Sequence, residues 1–341
     1  MKEADMKICL LTRYFDFRNA GLGRVSLEIY KELVRRGYEV KAVSTNGTSL
    51  YSYFFYTLLE IPLRIPRNCD VYHALTPMES IWIPKEKSVV TFHDLFQITD
   101  RDKLGSGLGY SGWKNFIGCN YFKFAVNVAK RCKRIVAVSE KTKEDLISEL
   151  GIDRGEIKVI KSGIRDDLEP QPRKDEKFRI GYLGQLDRRK RLNLLINAFK
   201  RSELDELVIG GIGPDKKILE EQAQGDKRIK FLGLVPDDKL SEFYNSLDLF
   251  VFPTWVEGYG LPIVEAMACK KPVMVLVNSK IPFEVKDRCI WVQDLVPVLS
   301  TSHLLRLCKS VNIEDNYKWA KKHSWKVCVD EYIKLYEEVT G

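Results

Sequence analysis

Short apolar runs rich in β-branched residues alternate with longer segments of helical period along most of the chain. This alternation predicts parallel sheets covered by helices on both faces. In the first half, the predicted strands span residues 7–11, 39–44, 71–75, 88–92 and 134–138. In the second half, they span residues 179–183, 207–210, 229–232, 247–252, 273–277 and 290–292. The pattern therefore predicts an α/β protein built from two domains of similar size.

A charged, proline-bearing stretch without apolar period interrupts this alternation at residues 165–177. Such composition is typical of a linker between domains. We predict an N-terminal domain over residues 1–165, a linker over 166–178, a C-terminal domain over 179–320 and a closing helix over 321–341. The apolar side chains of that helix fall on one face, so we expect the face to dock. Its members are Trp325, Cys328, Tyr332, Leu335, Tyr336 and Val339.

The charge balance is mildly basic, with 55 Lys and Arg against 47 Asp and Glu in 341 residues. A net charge of +8 fits an anionic ligand or an anionic membrane surface. It is too weak and too dispersed to indicate a nucleic-acid partner, and we expect none.

The eight cysteines are scattered and form no Cys-x-x-Cys pair, which predicts reduced core thiols in a cytoplasmic protein. No signal-type apolar core precedes the first strand, so export by that route is not expected. The aromatic-rich segment 50–65 is interrupted by Glu60, Pro62 and Arg64 and is too short to span a bilayer.

Two carboxylates, Glu257 and Glu265, flank a glycine-containing loop that leads into a predicted helix at Pro262. A helix N-terminus presents backbone N–H groups and a positive dipole end to a phosphate. A carboxylate accepts two hydrogen bonds and so matches the vicinal hydroxyls of a ribose or hexose. The segment therefore fits a nucleotide sugar. Spacing alone leaves a second interpretation open, in which Glu257 is a solvated loop residue and Glu265 complements the helix dipole.

Further candidates follow other predicted strands. Gly21 and Gly23 come after the first strand and offer N–H groups to a phosphate, although Ser26 stands where a Rossmann fingerprint has its third glycine. A plain glycine turn explains them equally well. His93, with Asp94, follows the strand at 88–92 and fits either a sugar hydroxyl or the cap of the next helix.

The segment from Gly184 to Arg191 follows the first strand of the second half and holds four consecutive cations. Cations aimed at a diphosphate stabilise the charge it gains as a leaving group. The alternative is a solvated basic turn. Asp100 and Asp102 have the Asp-x-Asp spacing of some metal sites, but they lie in a polar loop without an evident third ligand, so we expect no metal.

Taken together, these segments resemble the retaining glycosyltransferases of the GT-B fold, in the large mannosyltransferase and sucrose-synthase-like family called glycosyl transferases group 1. The resemblance covers nearly the whole chain. Its segments, in order, are residues 21–24, 71–74, 90–95, 134–140, 157–164, 184–190, 211–214, 231–233, 257–265 and 324–325.

The resemblance implies two Rossmann-like domains that face each other across a cleft, with a C-terminal helix that crosses back to the first domain. It implies transfer of a hexose of the mannose or glucose type from a GDP- or UDP-sugar to an acceptor hydroxyl, without a metal or other cofactor.

The resemblance also assigns roles to residues of this chain. Its catalytic group is His93 beside the transferred sugar, Lys190 at the phosphate and Glu257 facing the donor sugar. Glu265 would hold the ribose hydroxyls. The donor-binding group is Gly21, Gly23, Gly184, Gln185, Arg189, Tyr259, Gly260, Leu261 and Glu265.

Two positions depart from the family pattern. Gln185 stands where the family usually has arginine, and Arg191 stands where it has glycine. One phosphate cation is therefore missing from its expected place. Either Arg188, Arg189 or Arg191 supplies the charge, or turnover is slow.

The acceptor is a sugar or a lipid-linked glycan precursor in this hypothesis. Aromatic and basic residues interleave over residues 113–134, which fits peripheral contact with the inner face of a membrane. An ordinary core stripe is the preferred interpretation for Trp113, Ile117, Tyr121, Phe124 and Val128. The competing functions are a nucleotide-sugar epimerase and a catalytically weak nucleotide-binding scaffold. A Rossmann dehydrogenase has the least support.

Overall fold

The computed structural model describes residues 6–15, 20–45, 54–100, 113–173, 177–296 and 300–341. The chain divides into two compact units. The N-terminal domain comprises Met1–Gly163 together with Trp325–Gly341, and the C-terminal domain comprises Ile164–Ser324. Residues 166–173 of the predicted linker belong to the C-terminal domain, where the side-chain oxygen of Asn245 accepts from the N–H of Gln171 at 2.8 Å.

The N-terminal domain is built on a six-stranded sheet whose paired strands are all parallel. Its strands are β1 (Lys7–Leu11), β2 (Glu39–Val43), β3 (Val71–Ala74), β4 (Ser88–Phe92), β5 (Arg134–Ala137) and β6 (Ile157–Val159), in the order β2-β1-β3-β4-β5-β6. The central strands β3 and β4 are buried along their whole length, because helices cover both faces of a parallel sheet.

The C-terminal domain repeats this plan with a second six-stranded sheet, again with parallel pairing. Its strands are β7 (Arg179–Leu183), β8 (Glu206–Gly210), β9 (Ile229–Gly233), β10 (Leu249–Val251), β11 (Val273–Leu276) and β12 (Ile290–Val292), in the order β12-β11-β10-β7-β8-β9. This is the doubly wound order of Rossmann folds, which reverses direction between β7 and β10.

Helices connect the strands in both domains. In chain order, they are α1 (Ala20–Arg35), α2 (Ile61–Arg64), α3 (Phe96–Thr99), α4 (Trp113–Ala129), α5 (Glu140–Leu150), α6 (Leu192–Lys200), α7 (Lys216–Ala223), α8 (Leu240–Asn245), α9 (Leu261–Ala268), α10 (Phe283–Lys286), α11 (Thr301–Cys308), α12 (Ile313–Lys321) and α13 (Trp325–Thr340). A π-helical turn (Tyr56–Glu60) precedes α2.

Helix α13 belongs to the N-terminal domain through a buried polar network as well as an apolar face. The imidazole of His73 on β3 bonds the Tyr336 hydroxyl at 2.7 Å and the Thr91 hydroxyl at 2.8 Å. Thr91 in turn bonds the Tyr332 hydroxyl at 3.1 Å. All four side chains are buried, so each polar atom in the network finds its partner inside the domain.

The predicted fold class is confirmed, since both halves carry parallel α/β sheets. The predicted strands match the observed ones to within a few residues, and β6 is an additional strand that the pattern did not predict. All eight cysteines are free thiols, and seven of them are buried. The core stripe expected on α4 is wrong for Phe124, whose side chain is 52% exposed. The side chains of Trp113 and Ile117 lie outside the described residues.

Candidate functional site

A group of charged side chains in the C-terminal domain lies at the point where its sheet reverses direction. Strands β7 and β10 pair there, although they are far apart in sequence. Two loops leave their carboxyl ends: residues 184–191, called here the Lys190 loop, and residues 252–260, called the Glu257 loop. Ligands of doubly wound sheets bind at such switch points.

The Lys190 loop is held by local hydrogen bonds that follow from its sequence. Asp187 caps a short 3₁₀ turn (Arg188–Lys190), and its carboxylate accepts from the N–H of Lys190 at 3.2 Å. The Tyr182 hydroxyl, at the end of β7, donates to the carbonyl of Gln185 at 2.9 Å. The turn directs the Lys190 side chain inward, where it is only 6% exposed and its ammonium lies 4.9 Å from the centroid of the Phe252 ring.

The glycine run after β8 supports the Lys190 loop through backbone packing. A Cβ on Gly211 would lie 1.8 Å from the carbonyl oxygen of Gly184, and one on Gly213 would lie 2.3 Å from that of Leu186. The N–H of Leu186 donates to the carbonyl of Ile212 at 2.9 Å. Only glycine permits this approach of two backbones. Close contact between loops is thus a structural reason for these two glycines.

The Glu257 loop is hydrogen-bonded to the Lys190 loop and leads into α9. The N–H of Trp255 donates to the carbonyl of Arg189 at 2.8 Å, and that of Glu257 donates to the carbonyl of Lys280 at 3.0 Å. Gly260 then adopts a left-handed conformation (φ 92°) at the N-cap of α9, with Pro262 in the first turn. The backbone from Tyr259 to Leu261 therefore forms the N-terminal end of α9, as the position of Pro262 predicted.

Three side chains donate to one oxygen of Glu257. Lys190 Nζ pairs directly with Oε1, Thr254 Oγ1 donates to it at 2.5 Å, and Arg189 Nη1 lies 3.3 Å from it. Among the described residues, Oε2 has no hydrogen-bond partner. The cluster therefore fixes the carboxylate through one oxygen and leaves the other to accept from a ligand.

Electrostatics keep this cluster charged. Burial opposes ionisation of Glu257, but the adjacent Lys190 and Arg189 outweigh it and hold the pKa of the carboxyl below its usual value. Burial, with the neighbouring Arg189, lowers the pKa of Lys190, and Glu257 opposes that shift. The cluster brings two cations and one carboxylate together in a mostly buried site.

Glu265 lies in the second turn of α9 and is 2% exposed. Its Oε2 accepts from the Tyr244 hydroxyl at 2.7 Å. The bond orients the carboxylate, because a buried charged acceptor is costly unless donors satisfy it.

The other polar side chains of the Lys190 loop have different surroundings. Gln185 and Arg188 are exposed. Arg189 Nη1 donates to the carbonyl of Val256 at 2.9 Å. Arg191 directs its guanidinium at the Glu257 loop, where Nε donates to the carbonyl of Pro253 at 2.6 Å, and burial lowers its pKa to about 10. The structure thus turns Arg191 toward protein carbonyls, whereas it had been one of three candidates to replace the missing phosphate cation.

The predicted site residues of the N-terminal domain lie on α1 and directly after β4. Gly21 and Gly23 lie within the first turns of α1 and not in a loop before it. His93 follows β4, and its Nε2–H donates to the carbonyl of Leu75 at 3.0 Å. Burial lowers the pKa of His93 to about 4, so the ring is neutral at physiological pH. Its Nδ1 is then the acceptor nitrogen.

Some members of the cluster were not predicted from the sequence. Thr254 and Tyr244 contact the two glutamates, and Asp187 caps the turn that carries Lys190. Asp187 follows a capping pattern that the sequence does show. Thr254 and Tyr244 carry no such signal, because their roles depend on neighbours brought together by the fold.

No group of three His, Cys, Asp or Glu side chains within the described part of the chain could hold a metal ion. Arg101 and Asp102 of the Asp-x-Asp sequence lie outside that part. The helices that the structure describes include none long and apolar enough to cross a membrane.

Two family models match adjacent parts of the chain. Residues 48–168 match Glycosyltransferase Family 4, and residues 164–288, which contain the cluster around Glu257, match Glycosyl transferases group 1. Residues 164–288 thus form a domain of the Glycosyl transferases group 1 type. The family and the enzyme class predicted from the sequence are therefore confirmed.

Known relatives of this glycosyltransferase extend over its whole length. The O-antigen chain mannosyltransferase B of Escherichia coli is 23% identical, and the alignment covers 97% of this chain and all of that protein. A sucrose-phosphate synthase from Thermosynechococcus elongatus superposes with a TM-score of 0.75 at 14% identity, over 98% of this chain and 99% of the other. HepE of Anabaena, in complex with UDP and glucose, superposes with a TM-score of 0.72 at 16% identity, over 98% of this chain and all of the other.

These structural neighbours share the GT-B fold, which is therefore the fold of this chain. The arrangement of its domains across a cleft, the domain limits and the roles of individual residues stay predictions.

Proposed function

We propose that this glycosyltransferase moves a hexose of the mannose or glucose type, with retention, from a nucleoside diphosphate sugar to the hydroxyl of a glycan precursor. The observation that carries the proposal is the convergence of Lys190, Arg189 and Thr254 on one oxygen of Glu257 at the switch point of the C-terminal sheet. Transfer of a sugar from a diphosphate requires a cation near the phosphate and a hydrogen-bond acceptor, such as a carboxylate, oriented toward the sugar hydroxyls.

Each group in the cluster has a role in this reaction. Lys190 stabilises the negative charge that the diphosphate gains as the glycosidic bond breaks. Oε2 of Glu257 accepts hydrogen bonds from the donor sugar, and the N–H groups at the start of α9 face phosphate. Glu265 holds the ribose hydroxyls. In the N-terminal domain, we retain His93, Gly21 and Gly23 as proposed active-site residues.

Two named relatives support the type of donor. The relative from E. coli is named as a mannosyltransferase of O-antigen chains, and the Anabaena neighbour was solved with UDP and glucose. We therefore expect a GDP- or UDP-sugar as the donor. Because Lys190, Arg189 and a helix N-terminus supply positive charge, we expect the reaction to proceed without a metal.

A thermal-shift screen tests the donor first. UDP, GDP and ADP are compared with their glucose and mannose conjugates, because a bound donor raises the melting temperature by mass action. The best donor is then incubated with candidate acceptors, and NMR of the product shows whether the anomeric configuration is retained. Inversion would contradict retention. A changed sugar without added acceptor would indicate an epimerase, and binding without turnover would indicate a nucleotide-binding scaffold.

We further propose that the acceptor is lipid-linked and that the N-terminal domain contacts an anionic membrane surface. Apolar side chains are exposed on α2 and directly before the π-helical turn, with Leu63 86% exposed and Phe55 56%. Trp82 lies next to this segment, since its indole N–H donates to the carbonyl of Thr57 at 2.7 Å. The exposed cation Arg67 lies three residues beyond the end of α2. Apolar side chains flanked by cations fit the boundary of an anionic bilayer.

Liposome co-sedimentation tests this contact. The protein should pellet with vesicles rich in anionic lipid at low salt, and replacement of Leu63 and Phe55 by serine should reduce the bound fraction severalfold. Val327 on α13, also exposed, provides the control position for a serine substitution. If the wild type does not bind anionic vesicles, the membrane contact is refuted while sugar transfer is untouched.

A further inference from the structure

Arg191 has a backbone conformation that its residue type disfavours. Its φ of 52° and ψ of 34° place it in the left-handed region, just before α6. Among the described residues, Lys270 is the other non-glycine residue with positive φ. Side chains with a Cβ are strained in this region and glycine is not. Residues in such strained conformations cluster at functional sites and persist only where surrounding contacts hold them.

All three guanidinium nitrogens of Arg191 donate to the segments that follow β10 and β11. Nε donates to the carbonyl of Pro253, and Nη2 donates to that of Thr254, both at 2.6 Å. Nη2 also lies 3.0 Å from Ser279 Oγ, and Nη1 donates to Asn278 Oδ1 at 2.8 Å. The guanidinium further lies 5.1 Å from the centroid of the Trp255 ring. One side chain thus joins two loops.

These contacts lead directly to the sugar-facing acid. Arg191 holds the carbonyl of Thr254, and the hydroxyl of the same threonine donates to Glu257 Oε1 at 2.5 Å. The Ser279 hydroxyl donates to that carbonyl as well, at 2.6 Å. The neighbouring backbone forms a parallel bridge between Val256 and Lys280. The hydrogen bonds from Arg191 to the carbonyls of residues 253 and 254 therefore help to fix the position of the Glu257 carboxylate.

We propose that Arg191 is a positioning residue for sugar transfer: its guanidinium fixes the Glu257 loop so that Glu257 meets the donor sugar. This inference rests on the proposed function and adds a specific residue to it. Arg191 acts through Thr254 and Glu257, and it does not replace the missing phosphate cation at Gln185. Its fork of donors supplies the contacts, and the contacts explain why arginine occupies a left-handed position.

Replacement by glycine separates the two contributions, because Arg191→Gly relieves the backbone strain and removes the clamp. We expect kcat to fall by about 10- to 100-fold, since small misplacements of a positioned group have effects of this size. Binding of UDP or GDP alone, measured by calorimetry, should change less than twofold, because these nucleotides lack the donor hexose that Glu257 contacts. Arg191→Lys should have intermediate activity, and millimolar guanidinium chloride should partly restore kcat of the glycine variant.

Lys270→Gly is the matched control, because it relieves the other left-handed non-glycine residue without touching the cluster. It should leave kcat unchanged. If Arg191→Gly also keeps the wild-type kcat, the clamp has no catalytic role and the proposal is wrong. If the glycine variant loses nucleotide affinity as strongly as kcat, Arg191 is a phosphate cation, which also overturns it.

Failure of the positioning role can be told apart from failure of the proposed function. If the wild type transfers no sugar from any donor, the proposed function fails before Arg191 is tested. If Arg191→Gly does not fold, Arg191→Lys and Ser279→Ala still decide the matter. Both should lower kcat severalfold without weakening UDP or GDP binding, and unchanged kcat in both would refute the positioning role.

Discussion

Replacement of Lys190 by alanine removes the cation that both pairs with Glu257 and is assigned to the donor phosphate. In the structure, the Lys190 side chain is buried and directly paired with Glu257 Oε1. The variant leaves Glu257 with Thr254 at 2.5 Å and Arg189 at 3.3 Å. Because Lys190 is the main group that lowers the pKa of Glu257, we expect that pKa to rise in the variant.

The structure sets the expected size of both effects. Breaking a fully buried ion pair costs about 3 to 5 kcal/mol of folding free energy. Here Glu257 keeps two donors, so we expect about 2 to 3 kcal/mol, or a fall in melting temperature of roughly 5 to 10 °C. Loss of a preorganised charge at a developing anion costs about 2 to 4 kcal/mol of transition-state stabilisation. This corresponds to a fall in kcat of about 30- to 1,000-fold.

Kinetics with the donor found by thermal shift provide the assay, and urea unfolding gives the stability. Lys239→Ala is the control, since that lysine is 59% exposed and pairs with Glu242 on the surface; it should change neither quantity measurably. A double-mutant cycle combines Lys190→Ala with Glu257→Gln. The losses of unfolding free energy in the two single variants should sum to more than the loss in the double variant, because the double variant leaves neither charge unpaired. Wild-type kcat in Lys190→Ala would refute the proposed role of this lysine, and strict additivity would refute the coupling.

Two further predictions concern the fold that carries the site. Burial lowers the pKa of His73 to about 3, below its unfolded value near 6.5, so its stabilising contribution is full above pH 6.5 and is lost as the pH falls toward 3. Between pH 7 and 4.5, the free energy of unfolding of His73→Gln, measured with urea, should therefore fall by about 2 to 3 kcal/mol less than that of the wild type. The exposed His303→Gln should behave like the wild type. Equal losses of unfolding free energy in all three proteins would contradict this prediction. Gly211→Ala should cost more than about 3 kcal/mol, because its Cβ would meet the Gly184 carbonyl oxygen at 1.8 Å. Gly225→Ala is the control, because Gly225 also has a positive φ but no atom lies within 4 Å of the new Cβ. It should cost only about 1 kcal/mol of unfolding free energy. Similar melting temperatures for the two variants would show that the Lys190 loop can move away from Gly211.

Much of the fold could be predicted because parallel strands buried on both faces read as continuous apolar runs. Strands β1, β4 and β7, which lie inside their sheets, were predicted with their observed limits for this reason. Strand β6 was not, since it is three residues long at the edge of its sheet and includes the exposed Lys158. The predicted burial of Phe124 on α4 was wrong, because helical period alone does not show whether a neighbouring element covers that face of the helix.

The candidate site was predicted as a set of positions without their contacts. Glycine, proline and charge placement are local signals, and they located Glu257, Glu265 and Lys190 on loops at strand ends. Which residues meet is set by the sheet order, which pairs β7 with β10 and so brings Lys190 to Glu257 across 67 positions of sequence. The same pairing turns Arg191 toward the carbonyls of Pro253 and Thr254.

By itself, the sequence determined that this protein has two α/β halves, that the loops with Lys190 and Glu257 follow strands and that the chain resembles a glycosyltransferase. Those features depend on hydrophobic period and turn chemistry, which act within a few residues. The tertiary structure alone decided that three donors converge on one oxygen of Glu257 and that Tyr244 orients Glu265. It also decided that Arg191 donates to carbonyls of the Glu257 loop. Such contacts join residues that only the strand order brings within a few ångströms of each other.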